Sequence, residues 1–283
     1  MNENNFSPAT ILFTGFFALI IVFVFFFQSI SSKTKIVFCD VGQGDATYIR
    51  IKNKIDVLID TGPDKKILNC LGKYMPFFDK EIEILILSHL QKDHYGGLLH
   101  LFQRYKINRI YMAKTKIPSS LITLLKSTNA LLIFAKASDT LKIFNVNLNF
   151  LWPKAKTETF CQNDNNCFSL VFLFKENNFK ALFTGDTTAA VLSQLTRKNI
   201  DDLVNLNVLK IPHHGSKYGM NREFLKLADP KVAVISVGKN NTYGHPAKET
   251  LDLLYAFKTK IKRTDKEGDI VFEIQNPKFK MSN

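Results

Sequence analysis

IEILIL at Ile82–Leu87, running straight into SHLQKDHYGG at Ser88–Gly97, is the stretch on which the reading of the fold turns. A short apolar run rich in isoleucine and closed by a polar loop reads as a buried strand. Its end delivers His89, Gln91, Asp93 and His94 within six residues. In an extended loop, positions 89, 91 and 93 project on one side, and His94 follows on the turn. The glycine pair at Gly96 and Gly97 lets the backbone pack closely as a helix starts near Gly97. One histidine here could cap a helix or fill a core. Two histidines and an aspartate together are donors suited to a divalent cation.

The same device recurs along the chain. Phe179–Phe183 ends in TGD, which carries Asp186, ahead of a helix over Thr187–Leu195. Val208–Ile211 ends in PHHGS, with His213 and His214; Val232–Val237 leads into GKNNTYGHP, with His245. Five of the six histidines therefore lie in three short motifs, two of which open at strand exits. Asp186 is well placed to cap the helix that follows it, and an N-capping aspartate can ligate as well. The side chains of His213 and His214 diverge, so one can reach a metal and the other a substrate; His214 is read as the ligand and His213 as its neighbour. Ser216, Lys217 and the Gly215 amide suit a phosphate group. His245, in a Gly-Pro turn, is a candidate last ligand or proton donor to a leaving group.

Around these motifs the chain is a string of short strands. Lys35–Phe38 runs into DVGQGD, which carries Asp45. Tyr48–Ile51 and Ile55–Ile59 read as a hairpin ending in Asp60, Ser169–Phe174 and Phe179–Phe183 as a second. Ile107–Met112 and a closing Asp269–Ile274 add strands; Ser119–Leu125 and Ala247–Phe257 add helices. Two β-rich halves, each followed by helices, predict two sheets packed face to face with helices outside, a four-layer αββα sandwich. The strands lack clean polar alternation, as expected of sheets buried on both faces.

Composition sets wider limits. Hydrophobic residues make up 46% and charged residues 22%, which excludes wholesale disorder. The net charge of +13 is spread along the chain and favours anionic partners: nucleic acid, anionic lipid or a phosphorylated substrate. A solvated basic surface fits the same number. Residues 6–32 carry no charge, and Ile11–Phe27 is almost wholly aliphatic or phenylalanine. That run can cross the ~30 Å hydrocarbon core at about 1.5 Å per residue. MNENN lacks the basic residues of a signal peptide and no A-x-A site follows, so residues 1–32 read as an uncleaved single-span anchor and 33–283 as the functional domain. Lys33 and Lys35 behind the span weakly favour a cytoplasmic domain. Cys39 and Cys70 read as small core residues. Cys161 and Cys167 could close a small disulfide if the domain stands outside the cytoplasm.

H-x-x-x-D-H after an apolar strand, then TGD, PHHGS and GHP, resembles the metallo-β-lactamase superfamily. Within it, DVGQGDA, LIDTG and VLKIPHHGS look like the soluble domain of ComEC-type competence proteins, over roughly Lys35 to Ile274. The resemblance implies an α/β hydrolase whose metal ligands are His89, Asp93, His94, Asp186 and His214. Asp93, Asp186 and His245 are then the catalytic groups. Asp45, Asp60, Gln91, Ser169, His213, Ser216 and Lys217 support the site or touch substrate; Asn166 and Ser169 match the family's N-x-x-S. Two departures matter. Gln91 stands where the family usually has His or Asp, and His100, on a predicted helix, is the lone histidine between His94 and His213. One well-held Zn²⁺ or Mn²⁺ and a weaker second ion are therefore expected. The family association is with DNA uptake, and it leans the domain towards the extracytoplasmic side. The expected activity is a nuclease or other phosphodiesterase, with a separate channel protein as partner because a single span cannot form the channel. Hydrolysis of a lactone, thioester or lactam is one alternative; a DNA-binding tether with a decayed metal site is another.

Overall fold

The computed structural model describes residues 10, 12–20, 33–162, 164–197, 200–275 and 278–282. Thr34–Phe38 (β1), Thr47–Ile51 (β2), Ile55–Ile59 (β3), Glu81–Leu87 (β4), Lys106–Met112 (β5) and Leu131–Phe134 (β6) belong to one sheet. Thr140–Ile143 (β7), Val146–Trp152 (β8), Val171–Glu176 (β9), Phe179–Phe183 (β10), Val208–Lys210 (β11), Val232–Ile235 (β12) and Lys260–Arg263 (β13) form the second. The chain then returns through Ile270–Gln275 (β14) and Lys278–Ser282 (β15) to lie beside β1. The strand orders are β15-β14-β1-β2-β3-β4-β5-β6 and β13-β12-β11-β10-β9-β8-β7.

Burial on both faces explains the missing polar alternation. Ile36 and Phe38 of β1 join Phe172 and Phe174 of β9 and Phe183 of β10 between the sheets. Their neighbours Val37, Leu173 and Leu182 point outwards into two further cores. One of these packs the helices Ile67–Tyr74, Leu98–Phe102 and Ser119–Lys126 on the first sheet; the other packs Ala189–Thr196, Arg222–Ala228 and Lys248–Ala256 on the second. The result is the expected αββα sandwich.

Both sheets change from antiparallel to parallel part way across. β3 pairs antiparallel with β2 and parallel with β4; β10 pairs antiparallel with β9 and parallel with β11. Strands β3, β4, β10, β11 and β12 all release their carboxyl ends at the same edge, where α/β folds place their ligands.

Several expectations need correction. Cys39 and Cys70 are not free core residues: they form a disulfide between the end of β1 and the helix Ile67–Tyr74. That helix is not evident from the sequence, because Asn69 and Gly72 dilute its helical pattern. Strands β6, β7, β8, β13 and β15 were also not anticipated, and Asp269–Ile274 is not the last strand. In β8, Asn147 and Asn149 interrupt the apolar run while Val146, Leu148 and Phe150 are buried, so the strand shows as alternation. Asp93 does not lie on an extended loop: Gln91 is extended, but Lys92–Tyr95 is already a helical turn. The expected membrane span over Ile11–Phe27 is described only in part. Residues 12–20 are helical with Leu12, Phe13, Phe16, Phe17 and Leu19 exposed, but no helix among the described residues is long and apolar enough to cross a membrane. The rest of that apolar segment lies outside the described residues.

Candidate metal centre

Each candidate ligand stands just past a strand end or on the first turn after it. Asp60 follows β3 and adopts φ 57°, a left-handed conformation that turns its carboxylate onto the loop after β4. There it accepts from the Ser88 amide (2.7 Å) and the Ser88 hydroxyl (2.6 Å). It also accepts from His94 Nδ1 at 2.8 Å. A carboxylate accepting at Nδ1 assigns that proton and leaves the Nε2 lone pair of His94 facing the centre. Asp186 follows β10 across Gly185, whose φ of +51° and absent Cβ matter: a Cβ there would meet Ser88 Cβ at 2.9 Å. The Asp186 amide donates to Ser169 Oγ at 3.2 Å. After β11, His213 and His214 are consecutive left-handed residues, φ 49° and 53°. His214 Nδ1 donates to the Ser236 carbonyl beyond β12 at 2.9 Å, so its Nε2 also turns inwards.

Asp93, His94, Asp186 and His214 meet at one point, each offering one donor atom within 4.8 Å of the others. His94 Nε2 is 3.4 Å from Asp186 Oδ1, and His214 Nε2 is 3.4 Å from Asp186 Oδ2 and 3.2 Å from Asp93 Oδ2. Four donors at about 2.1 Å from a tetrahedral ion stand roughly 3.4 Å apart. Both Asp186 oxygens, His94 Nε2 and His89 Nε2 are buried without a hydrogen-bond partner. Buried polar atoms are normally satisfied, so converging orphans mark a place for a ligand. The donor set of imidazoles and carboxylates fits a divalent cation.

The electrostatics agree. Burial opposes charge on His94 and His214. Asp186 and Asp60 nevertheless raise the first well above its ordinary value, and Asp186 and Asp45 push the second up to about 10. Asp93 is held down to about 2 against its burial by the bond from His214 and the nearby His94. The carboxylates need a positive partner, and protonated imidazoles serve where a cation would. Burial and the adjacent His94 keep His89 neutral, its pKa lowered to about 3.

The remaining candidates are distributed as follows. His89 Nε2 is 3.9 Å from Asp186 Oδ2 and borders a cleft lined by Leu90, Thr115, Lys116, Asn165 and Phe168. Gln91 Nε2 donates to Asn166 Oδ1 at 2.9 Å. His213 is partly exposed at the rim, with Nε2 3.9 Å from Asp186 Oδ2 and Nδ1 3.5 Å from Asn166 Nδ2. His245 lies behind it, ring centroids 5.7 Å apart, with a buried and unpartnered Nδ1. Ser216 is buried in its own turn, its hydroxyl accepting from the Tyr218 amide at 3.4 Å. Lys217 is exposed and extends over the Tyr218 ring. His100 is on the outer helix Leu98–Phe102, as its predicted position required.

One residue of the centre escaped the sequence reading. Lys210, the last residue of β11, is buried and pairs with Asp45, while its Nζ lies 3.9 Å from Asp186 Oδ1. Asp45 Oδ1 is itself 3.8 Å from His214 Nδ1. A lysine three residues before a histidine pair inside VLKI was a signal, since a charged residue in a buried strand needs an acidic partner.

Residues 39–121 match the sequence profile of the Metallo-beta-lactamase superfamily. The chain is 28% identical over 292 residues to ComE operon protein 3 of Bacillus subtilis, covering 95% of this chain and 37% of that protein. It is 28% identical over 240 residues to Competence protein ComA of Neisseria gonorrhoeae, covering 82% of this chain and 31% of that one. The chain thus spans about a third of the length of these relatives. Among solved structures, the metallo-beta-lactamase fold protein YhfI of Bacillus subtilis superposes with a TM-score of 0.57 at 15% identity, covering 86% of this chain and all of that one. Profile, fold and relatives agree in what the chain is similar to: the metallo-β-lactamase superfamily and, by sequence, competence proteins.

Proposed function

We propose that the protein is a metal-dependent phosphodiesterase that cleaves DNA during DNA uptake. In this reading Asp93, His94, Asp186 and His214 hold one divalent cation, Zn²⁺ or Mn²⁺. The observation that carries it is the convergence of these four side chains, with both oxygens of the buried Asp186 lacking a hydrogen-bond partner. Similarity to competence proteins supports DNA as the substrate. A bound divalent cation supplies Lewis-acid polarisation of a phosphoryl oxygen and acidifies water. The chain's own groups do the rest. Asp60 and the Ser236 carbonyl hold the two imidazoles in the ligating tautomer. Asp93, the most exposed of the four, orients the attacking water by accepting its hydrogen bond. His245 is the candidate proton donor to the leaving oxygen. The Gln91–Asn166 pair stands beside the site, and with a neutral amide at 91 a second ion near His89 is held weakly.

The domain stands, in the same proposal, on the extracytoplasmic side of a membrane, tethered by the apolar segment 6–32. Two disulfides support an oxidising compartment over the weak lysine signal. The function is tested by incubating purified full-length protein, stripped of metal and reloaded with Mn²⁺ or Zn²⁺, with single- and double-stranded DNA. Cleavage that needs metal and falls at least 100-fold in Asp93→Asn and Asp186→Asn is expected. Tight metal binding without cleavage would move the assignment to another hydrolysable substrate.

A further inference from the structure

The motif YGHP carries Tyr243 two residues before His245. Tyr243 is 70% exposed. One of its faces lies nearly parallel to the His245 ring, 18° between planes and 6.0 Å between centroids. The His245 ring stands 5.7 Å from that of His213, and His213 Nε2 stands 3.9 Å from Asp186. A row of rings thus leads from solvent to the metal centre, with the outer face of Tyr243 uncovered at its end.

The turn that presents this ring is braced. Asn241 Nδ2 donates to the carbonyls of Gly238 (3.1 Å) and His245 (2.7 Å), and its Oδ1 accepts from the His245 amide at 2.9 Å. The Gly238 amide donates to Gln43 Oε1 at 3.1 Å, and a Cβ at Gly238 would meet the Gln43 backbone nitrogen at 2.5 Å. Beyond the motif, the Ala247 amide donates to the Gly215 carbonyl at 2.9 Å. A ring held this way loses little freedom when something stacks on it. Lys239 is exposed in the same turn, and Lys217 is exposed on the neighbouring one.

We infer that Tyr243 is the platform of a subsite for an unpaired nucleobase adjoining the phosphodiester held at the centre, so that the protein selects single-stranded over double-stranded DNA. This rests on the phosphodiesterase reading above. Inside a duplex both faces of a base are covered by its neighbours, so only an unstacked base can meet the ring. The lysines of the two turns meet the flanking phosphates, which both kinds of DNA carry, and therefore do not discriminate.

The test measures binding of full-length protein to three fluorescent oligonucleotides: a single strand, the same strand with abasic sugars at its centre, and the duplex. Wild type is expected to favour the intact single strand over both others by about 10-fold, the scale of one base–aromatic stack. Tyr243→Phe keeps that preference. Tyr243→Ala loses it for the intact strand and does not weaken the abasic strand further. Equal binding of intact and abasic strands by wild type, or an unchanged preference in Tyr243→Ala, overturns the inference. Metal-dependent cleavage is scored separately in the same preparations, so failure of the stacking subsite and failure of the phosphodiesterase reading give different results.

Discussion

Lys210 sets the charge balance of the centre. Its ammonium is buried against Asp45 and near Asp186, beneath side chains that include three further aspartates, Asp60, Asp93 and Asp186. Removing one partner of a buried ion pair leaves the other uncompensated, at a cost of about 3–5 kcal/mol. Lys210→Met should therefore lower the unfolding temperature clearly, and adding Asp45→Asn should restore part of the loss. Additive losses in the double variant would show that the pair is not coupled. The histidines carry a second prediction. His94 and His214 are raised in the metal-free protein, chiefly by Asp186 once burial is overcome, and a cation must displace their protons. Protonated imidazole cannot ligate, so metal affinity falls as pH falls, and metal uptake releases protons. A dye titration in weak buffer would detect this; pH-independent affinity between pH 6 and 8 would contradict it.

At the scale of elements, the disulfide Cys161–Cys167 staples the short helix Glu158–Cys161 to the turn Asn166–Phe168 ahead of β9. That turn carries Asn166, the partner of Gln91 and neighbour of His213. Opening the loop by Cys161→Ser with Cys167→Ser should cost about 2 kcal/mol and raise KM more than it lowers kcat. A Tm indifferent to reductant would contradict a structural role for the bridge. In untreated cells a maleimide should find none of the four cysteines free; labelling of all four would also undercut the extracytoplasmic placement. The elements themselves were unevenly legible. Apolar runs such as Ile55–Ile59 and Phe179–Phe183 appear with their predicted bounds, because burial on both faces makes all but one residue of each strand apolar. The β13 sequence KIKR is three-quarters charged, and parallel pairing with β12 makes it a strand. No local pattern announces a strand whose partner is that distant, nor the pairing of Cys39 with a cysteine 31 residues away.

For the whole molecule, the αββα architecture was legible because each half repeats strands followed by helices, and burial enforces layers on such a pattern. The convergence of Asp93, His94, Asp186 and His214 was foreshadowed by motifs at strand ends. The tautomers set by Asp60 and Ser236, and the Lys210–Asp45 pair, were not. They depend on which strand ends share an edge, which only the sheet order decides. The claim on which the rest depends is that this shared edge is a metal centre. The most direct test is the metal content of full-length protein dialysed against excess Mn²⁺ or Zn²⁺ and then against metal-free buffer, beside Asp186→Asn. The account predicts one tightly held ion per chain, lost in the variant, with a higher unfolding temperature in the loaded wild type. A wild-type protein that retains no ion, and unfolds at the same temperature with metal as with chelator, would contradict it.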